Sequence, residues 1–306
     1  MTLVLTVNGP ESIWAIADRR LSYPGRPPKD DGRKLMLLET TDGVAILGYA
    51  GLGATARGTE PADWMSAVLR GRNLPLEQSL GVMAEAMKKH LPAHLVRLLG
   101  YGPPAHSIIV SAFVGNEPRV YTIDLAFAPD HKSYHFRYTR HLVDFGESGQ
   151  RTPRLAIGGS GALYLTRDNE WQRTLLRLVR AHDRGQVSSP AVADHLASIN
   201  YTVHLGLPDM SVGPRCIVAW RHRRGGTHNG GGAHQFYSGV ARDSTSSCLP
   251  TISNGMDVQA LIEAMWPHMT KSLGATMDGE SGAGLDQDLI NAELARLPDK
   301  PDETLW

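Results

Sequence analysis

The chain has 306 residues, 42% of them hydrophobic, enough to bury a sizeable core as one large domain or two small ones. Lys plus Arg and Asp plus Glu number 31 each, so there is no basic field to recruit nucleic acid or a membrane surface, and neither is expected as a partner. No apolar stretch approaches the roughly eighteen residues that a membrane span needs, and the opening apolar run lacks the length and basic start of a signal segment. Cys216 and Cys248 form neither a metal spacing nor a disulfide framework. That suits a reducing compartment, and the expectation is a cytoplasmic protein with Cys216 on a buried strand.

In chain order, the apolar, β-branched run 3–7 and the segment 12–17 flank Asn8-Gly9-Pro10-Glu11, a turn composition, and predict a hairpin. Residues 23–32 read as an irregular loop. Segments 34–38 and 44–50 flank Thr40-Thr41-Asp42-Gly43 as a second hairpin. A short helix is expected over 61–69 and a longer one over 76–99, where Leu80, Met83, Met87, Leu91, Leu95 and Leu98 recur at helical steps, with Pro92 as a kink or break. Residues 107–114, 115–118 and 119–124 read as strand, turn and strand, taken as the start of a second sheet. A polar, His-rich connection over 131–141 then leads to a strand at 155–157, a Gly-Gly-Ser-Gly turn and a helix that includes Leu175, Leu176, Leu178 and Val179. Ser188-Ser189-Pro190 is a helix start for a segment running to about His204, and 211–220 supplies a further strand. Runs of strands alternating with helix pairs predict an α+β fold, two antiparallel sheets face to face with helices on both outer faces.

The chemistry is concentrated at the start. Asp18 stands sixteen positions beyond Thr2, and Lys34 sixteen beyond Asp18. Methionine is usually trimmed before a small residue, so Thr2 is expected to open the mature chain with an amine and a hydroxyl on one residue. A threonine hydroxyl needs a base to attack at neutral pH, and an N-terminal amine of pKa about 7.7–8.0 can serve. A nearby Lys cation disfavours protonation of that amine and favours the developing alkoxide, while a carboxylate holds the Lys charged and in place.

Thr2, the strand end Ala17-Asp18-Arg19-Arg20, Lys34 and Gly48-Tyr49-Ala50-Gly51 together resemble the N-terminal half of proteasome β subunits and their bacterial relatives, with the Thr2–Asp18–Lys34 spacing matching ungapped. The resemblance implies the four-layer αββα sandwich of the N-terminal nucleophile (Ntn) hydrolases over residues 2–220, and a threonine peptidase. It places Ser160, in Ile157-Gly158-Gly159-Ser160-Gly161, near the nucleophile's amine; the alternative is a turn serving geometry or an anion at the helix start. The chain departs from the family where an Asp is followed three residues later by a Ser, because Asp209-Met210-Ser211 spaces them by two. Either Ser211 is displaced by a local shift or one of the pair has no family role, a loop cap being the plain alternative. The implied oxyanion donor is the Gly51 N–H, since glycine lets backbone approach substrate closely, or that of Gly48 if the count from Lys34 runs ungapped. Leu21 and Tyr49 are implied to line the first specificity pocket, a core position being the alternative for Tyr49.

From Arg221 onward the resemblance stops. Residues 221–226 and 229–232 read as loop or linker, 234–240 as a last strand, and 257–273 and 287–297 as helices, with Asn254 or Asp257 as cap and Pro267 interrupting the first. Residues 221–306 are thus expected to form a Gly-rich linker and a partly helical C-terminal extension, used as a lid or a subunit contact. His222, His228 and His234 stand six apart, but glycine between them imposes no geometry and no acidic or Cys partner accompanies them, so no metal is expected. The expected protein is an N-terminal threonine hydrolase cleaving peptides or unfolded protein without a cofactor, in a homo-oligomeric ring or related assembly, any unfoldase partner being undetermined. Two other readings stay open: an amidase for a small non-peptide amide, and a catalytically silent scaffold subunit, which has no need of the Thr2, Asp18 and Lys34 triplet.

Overall fold

The structure is a computed structural model and describes residues 2–23, 26–51, 59–90, 106–127, 134–141, 154–226, 228–242, 249–277, 287–297 and 300–302. The first hairpin forms where the apolar runs and their turn place it: β1 (Val4–Asn8) and β2 (Ser12–Asp18) pair antiparallel from Val4↔Ala17 to Asn8↔Ile13. Every residue of both strands is buried, so each face must meet apolar partners. Leu5, Val7, Trp14 and Ile16 join one cluster with Leu175, Val179, Leu196 and Val203. Their neighbours Val4, Ile13, Ala15 and Ala17 turn the other way, onto Leu35, Leu37, Ile46 and Ile109. This is period-two alternation inside a doubly covered sheet.

The sheet containing this hairpin runs β10 (Arg154–Gly158), β1, β2, β11 (Arg215–His222), β12 (Gly231–Tyr237), β13 (Val240–Ala241), all neighbours antiparallel. The helices α3 (Gly161–Leu165), α4 (Glu170–Asp183) and α5 (Ser189–Gly206) bury Leu165, Leu175, Val179, Leu196 and Val203 in the cluster on its one face. The second sheet begins earlier than expected. The hairpin β5 (Leu35–Glu39) and β6 (Gly43–Ala50) already belongs to it, because β6 pairs with β7 (Ser107–Val114) over eight positions, from Gly43↔Val114 to Ala50↔Ser107. Its order is β15 (Met256–Asp257), β14 (Thr251–Ser253), β5, β6, β7, β8 (Glu117–Phe127), β9 (Tyr134–His141). Helices α1 (Pro61–Leu69) and α2 (Leu76–His90) place Trp64, Met65, Leu80, Met83 and Met87 against Met36, Leu47, Val110 and Tyr121. The expected helical continuation past His90, with Pro92, lies outside the described residues.

Four segments differ from expectation for identifiable reasons. The loop over 23–32 contains a small hairpin of its own, β3 (Leu21–Tyr23) with β4 (Arg26–Lys29). Part of the His-rich connection is strand β9, whose polarity conceals the alternating aromatics Tyr134, Phe136 and Tyr138; Phe136 is buried against the helix-side cluster. Gly231 and Gly232, read as linker, open β12, because Trp220 and Arg221 on β11 lie across them: a Cβ on Gly232 would sit 2.5 Å from Trp220 Cζ2, and one on Gly231 2.6 Å from Arg221 Nη1. Finally, β14 joins β5 in parallel (Thr251↔Leu37 to Ser253↔Glu39), so residues beyond 220 contribute strands to both sheets. After them α6 (Val258–Met277) continues through Pro267, followed by α7 (Gln287–Arg296). Among the described residues no helix is long and apolar enough to cross a membrane.

Gly48 sits at the crossing of the sheets, where a Cβ would lie 2.5 Å from Val4 Cγ1 and 3.2 Å from Leu35 Cδ2, all in buried surroundings. Gly48→Ala is expected to destabilise the fold by about 1–3 kcal/mol, as overpacking does, measured as a lowered midpoint of urea unfolding with an unchanged slope.

Candidate active site

Antiparallel pairing of β1 with β2 puts the residues just before Val4 opposite Asp18, and the chain confirms the register with Asp18 N–H donating to the Leu3 carbonyl at 3.1 Å. Lys34 lies immediately before β5, where its side chain crosses from the second sheet to the first. The three side chains meet. Lys34 Nζ donates to Thr2 Oγ1 at 2.6 Å and to Asp18 Oδ1 at 2.9 Å, and the Thr2 hydroxyl donates to Asp18 Oδ1. Thr2, Asp18 and Lys34 are respectively 1%, 0% and 4% exposed, so their electrostatic coupling is little screened. Burial pulls the Lys34 ammonium below its usual pKa, and the Asp18 carboxylate opposes that loss.

Asp18 is supplied with further donors. Leu3 N–H reaches Oδ1 at 2.8 Å, while the N–H groups of Arg20 and Gly213 reach Oδ2 at 3.0 and 3.2 Å. A buried carboxylate is tolerated when its lone pairs are used in this way. In register with it on β11 is Cys216, fully buried as expected; burial pushes its thiol pKa up, away from nucleophilic use. Cys248 lies outside the described residues.

The second half of the chain enters through β10. Its pairing with β1, Val4↔Gly158, carries the following turn to the backbone of Thr2. The Thr2 carbonyl accepts from Gly161 N–H at 3.2 Å and from Ser160 Oγ at 3.4 Å. Gly159 has φ +86°, and a Cβ there would be 2.1 Å from that carbonyl oxygen, so both conformation and contact require glycine. Ser160 Oγ and Ser211 Oγ are 3.1 Å apart. Asp209 does not join them: its Oδ1 accepts from Ser211 N–H at 3.0 Å, as a turn carboxylate does. The two-residue spacing thus separates the pair, with Ser211 reaching the Thr2 side and Asp209 shaping the loop.

Arg20 and Asp30 form a tie that sequence reading did not identify. Arg20 Nε and Nη2 donate to Asp30 at 2.6 and 2.7 Å, and Nη1 donates to the Met210 carbonyl at 2.5 Å. The paired carboxylate raises the guanidinium pKa, and Arg20 in turn lowers that of Asp30. Met210 lies at φ 48°, a left-handed conformation costing on the order of 1–3 kcal/mol in a non-glycine residue. Arg20 holds it. The second Arg of the Ala-Asp-Arg-Arg strand end was a visible signal for this role; nothing distinguished Asp30 from its neighbour Asp31.

Gly51 follows β6 directly, half-buried, at φ 152°. Gly48 is instead held inside the sheet, opposite Leu35 and Ile109. Tyr49 is buried on the helix-facing side of β6, its ring edge-on to Trp64 and its hydroxyl 2.6 Å from His106 Nδ1, which is a core environment. Leu21 is also buried, against Gly32. Among the described residues no group of His, Cys, Asp and Glu has metal-holding geometry.

No protein-family model matches the sequence, and no curated protein matches it significantly. Solved structures are similar in fold. One is an Anbu (Gly-1) mutant from Hyphomicrobium sp. strain MC1, at 14% identity over 78% of this chain and 87% of that one, with a TM-score of 0.48. Another is the helical assembly of the Anbu complex from Pseudomonas aeruginosa, at 12% identity over 77% and 86%, TM-score 0.49. A third is Anbu from Yersinia bercovieri, described as an ancestral beta-subunit, at 12% identity over 89% and 96%, TM-score 0.44. At these identities and scores, function is read from the site alone.

Asp18→Asn leaves Lys34 buried without its counter-ion, and a loss of about 3–5 kcal/mol is expected at neutral pH. Lys34 then has a folded-state pKa still further below its unfolded value. The unfolded chain binds more protons in the interval between the two, so the deficit is complete below the folded pKa and shrinks as pH rises toward the unfolded one. Urea unfolding of wild type and variant at neutral and alkaline pH measures it.

Proposed function

We propose that this chain is an N-terminal threonine hydrolase of the proteasome-like type, cleaving peptide bonds through an acyl-enzyme on Thr2. The observation that carries the reading is the Thr2 hydroxyl held between the Lys34 ammonium, 2.6 Å away, and the Asp18 carboxylate. Two sheets with apolar side chains between them and helices against each support the αββα sandwich of Ntn hydrolases as the scaffold. The reading requires Thr2 to be the first residue of the working protein, which removal of Met1 achieves.

In that form the Thr2 amine takes the hydroxyl proton as Oγ1 attacks the substrate carbonyl carbon. The Lys34 ammonium stabilises the forming alkoxide, and Asp18 fixes Lys34 in position. The tetrahedral oxygen accepts from the Gly51 N–H. The amine then returns the proton to the leaving nitrogen, the C–N bond breaks, and an ester remains on Thr2. Water, activated by the same amine, attacks that ester and regenerates the hydroxyl. Ser160, hydrogen-bonded to the Thr2 carbonyl, and Ser211, hydrogen-bonded in turn to Ser160, stand where they can relay a proton beside the amine. We infer also that subunits assemble as homo-oligomers: α6 exposes Ile262 and Trp266, one helical turn apart, at 55% and 60%.

Two measurements test the proposal. An epoxyketone should add once, at Thr2, consuming both hydroxyl and amine in a cyclic adduct. Thr2→Ala should abolish the adduct while preserving the fold, and a tag fused ahead of Thr2 should abolish it too. Lys34→Ala should slow peptide hydrolysis by about 10²–10³-fold, and Lys34→Arg should fail to restore it, since a planar guanidinium cannot replace an ammonium of that reach. Absence of the adduct in a protein whose intact mass lacks Met1 would overturn the mechanism.

The pH profile of kcat/KM provides an independent check. Rate should rise as the amine loses its proton, near about 7.7–8.0 for an unperturbed terminus, and fall again as Lys34 deprotonates below its usual value because of burial. Lys34→Ala should remove the alkaline limb and move the acid limb to higher pH, because the cation that disfavours protonation of the amine is gone.

A further inference from the structure

The end of β11 carries a second charged site. Cys216, level with Asp18, and His222, level with Ser12, are six residues apart on that strand, about 20 Å at the rise of an extended chain. There a cavity of about 410 Å³ opens between the two sheets, lined by Glu39, Arg221, His222, Arg223, Arg224 and Gly230. Arg221 lies over Gly231, and its Nη1 donates to the Trp220 carbonyl at 3.2 Å. Burial lowers the Arg221 pKa, and Glu39 is the carboxylate that opposes the loss. Arg223 Nη2 is paired with Glu11 Oε1 at 2.6 Å, while Arg223 Nε is fully buried without a hydrogen-bond partner among the described residues. His222 is 8% exposed, and its Nε2 is likewise buried without a partner.

We propose that this cavity binds a small oxyanion, of the phosphate-ester or polycarboxylate class. Along the lining Arg221, Arg223 and Arg224 outnumber the carboxylates beside them, Glu39 and the Glu11 that pairs with Arg223. Guanidinium forks match the oxygens of phosphate and carboxylate, and an anion would satisfy the Arg223 Nε–H, a donor that burial has stripped of water. The surrounding turn is built for close approach, with Gly225 and Gly230 at φ +67° and +74°.

The site is linked to protons. The His222 ring stacks on His182 and is tilted to His228, each at a centroid distance of 5.2 Å, and His182 stacks on His228 at 4.7 Å. Asp183 stands 3.5 Å from His182 Nδ1, and the Asn229 carbonyl faces His222 Nδ1 at 3.3 Å. Burial lowers the His222 pKa; His182 and His228 lower it further, while the Asn229 carbonyl and Asp183 oppose them. An anion in the cavity favours the imidazolium, so binding takes up a proton and tightens as pH falls.

Isothermal titration of the full chain with pyrophosphate and, separately, with citrate tests this and distinguishes the two sources of oxyanion. One of the two should saturate at one per chain, more tightly at about pH 6 than at about pH 8. Arg221→Gln and Arg224→Gln should each weaken it about tenfold or more, the loss of a charged hydrogen bond. Arg224 is exposed, so its variant decides the matter if Arg221→Gln does not fold. Saturation by neither probe, or unchanged affinity in Arg224→Gln, overturns the proposal. Because the readout is binding, it stands apart from hydrolysis at Thr2.

Discussion

The Asp18 carboxylate is the interaction on which the rest of the structure depends. It is fully buried and accepts five hydrogen bonds, from the Thr2 hydroxyl, the Leu3 amide, the Arg20 amide, the Lys34 ammonium and the Gly213 amide. An ionised carboxylate in such surroundings costs several kcal/mol if its donors are removed. The donors come from the entry to β1, the end of β2, the entry to β5 and the loop before β11, elements of both sheets. One charge therefore fixes the relative placement of four chain segments, and the arrangement it fixes is the one that sets an ammonium against the Thr2 hydroxyl.

A second tier of contacts keeps that arrangement rigid. Arg20 uses its amide on Asp18 and its guanidinium on Asp30 and the Met210 carbonyl, joining the carboxylate to the loop that presents Ser211. The left-handed Met210 is the strained element of this loop. Its conformation lets Asp209 bond the Ser211 amide while the Ser211 hydroxyl reaches Ser160. Strain at such a position persists where its surroundings over-determine it, and here a bidentate ion pair and a turn carboxylate do so.

At the opposite end of the same strands the chain solves a different packing problem. Trp14 and Trp220 stack at 5.4 Å, and Trp220 stacks on His234 at 5.2 Å. Gly231 and Gly232 provide the flat backbone on which the Trp220 and Arg221 side chains lie. The basic cavity and the histidine stack occupy this end, so β2 and β11 carry the Thr2 cluster at one extremity and a charged cavity at the other.

Local pattern was sufficient for the hairpin of β1 and β2, the hairpin of β5 and β6, the pair β7 and β8, and the helix opened by Ser188 and Pro190. In each, period and turn residues lie within a dozen or so positions. The sixteen-residue spacing of Thr2, Asp18 and Lys34 was legible through the chemistry of the three residue types and the resemblance it supports, whereas the approach of Lys34 from the second sheet was not. Strands β9 and β14 and the Gly231-Gly232 opening of β12 were not legible, because their signal is a partner: β9 hides its aromatics among polar residues, the opening of β12 is glycine made useful by Trp220, and β14 finds β5 some 214 residues earlier, where Ser253 meets Glu39. The assignments of Ser211, Asp209 and Arg20 likewise follow from contacts across the fold, Arg20 to Met210 spanning 190 positions. Hydrogen-bond partners that far apart leave no periodicity in a chain, so only packing could decide which side chains face Thr2.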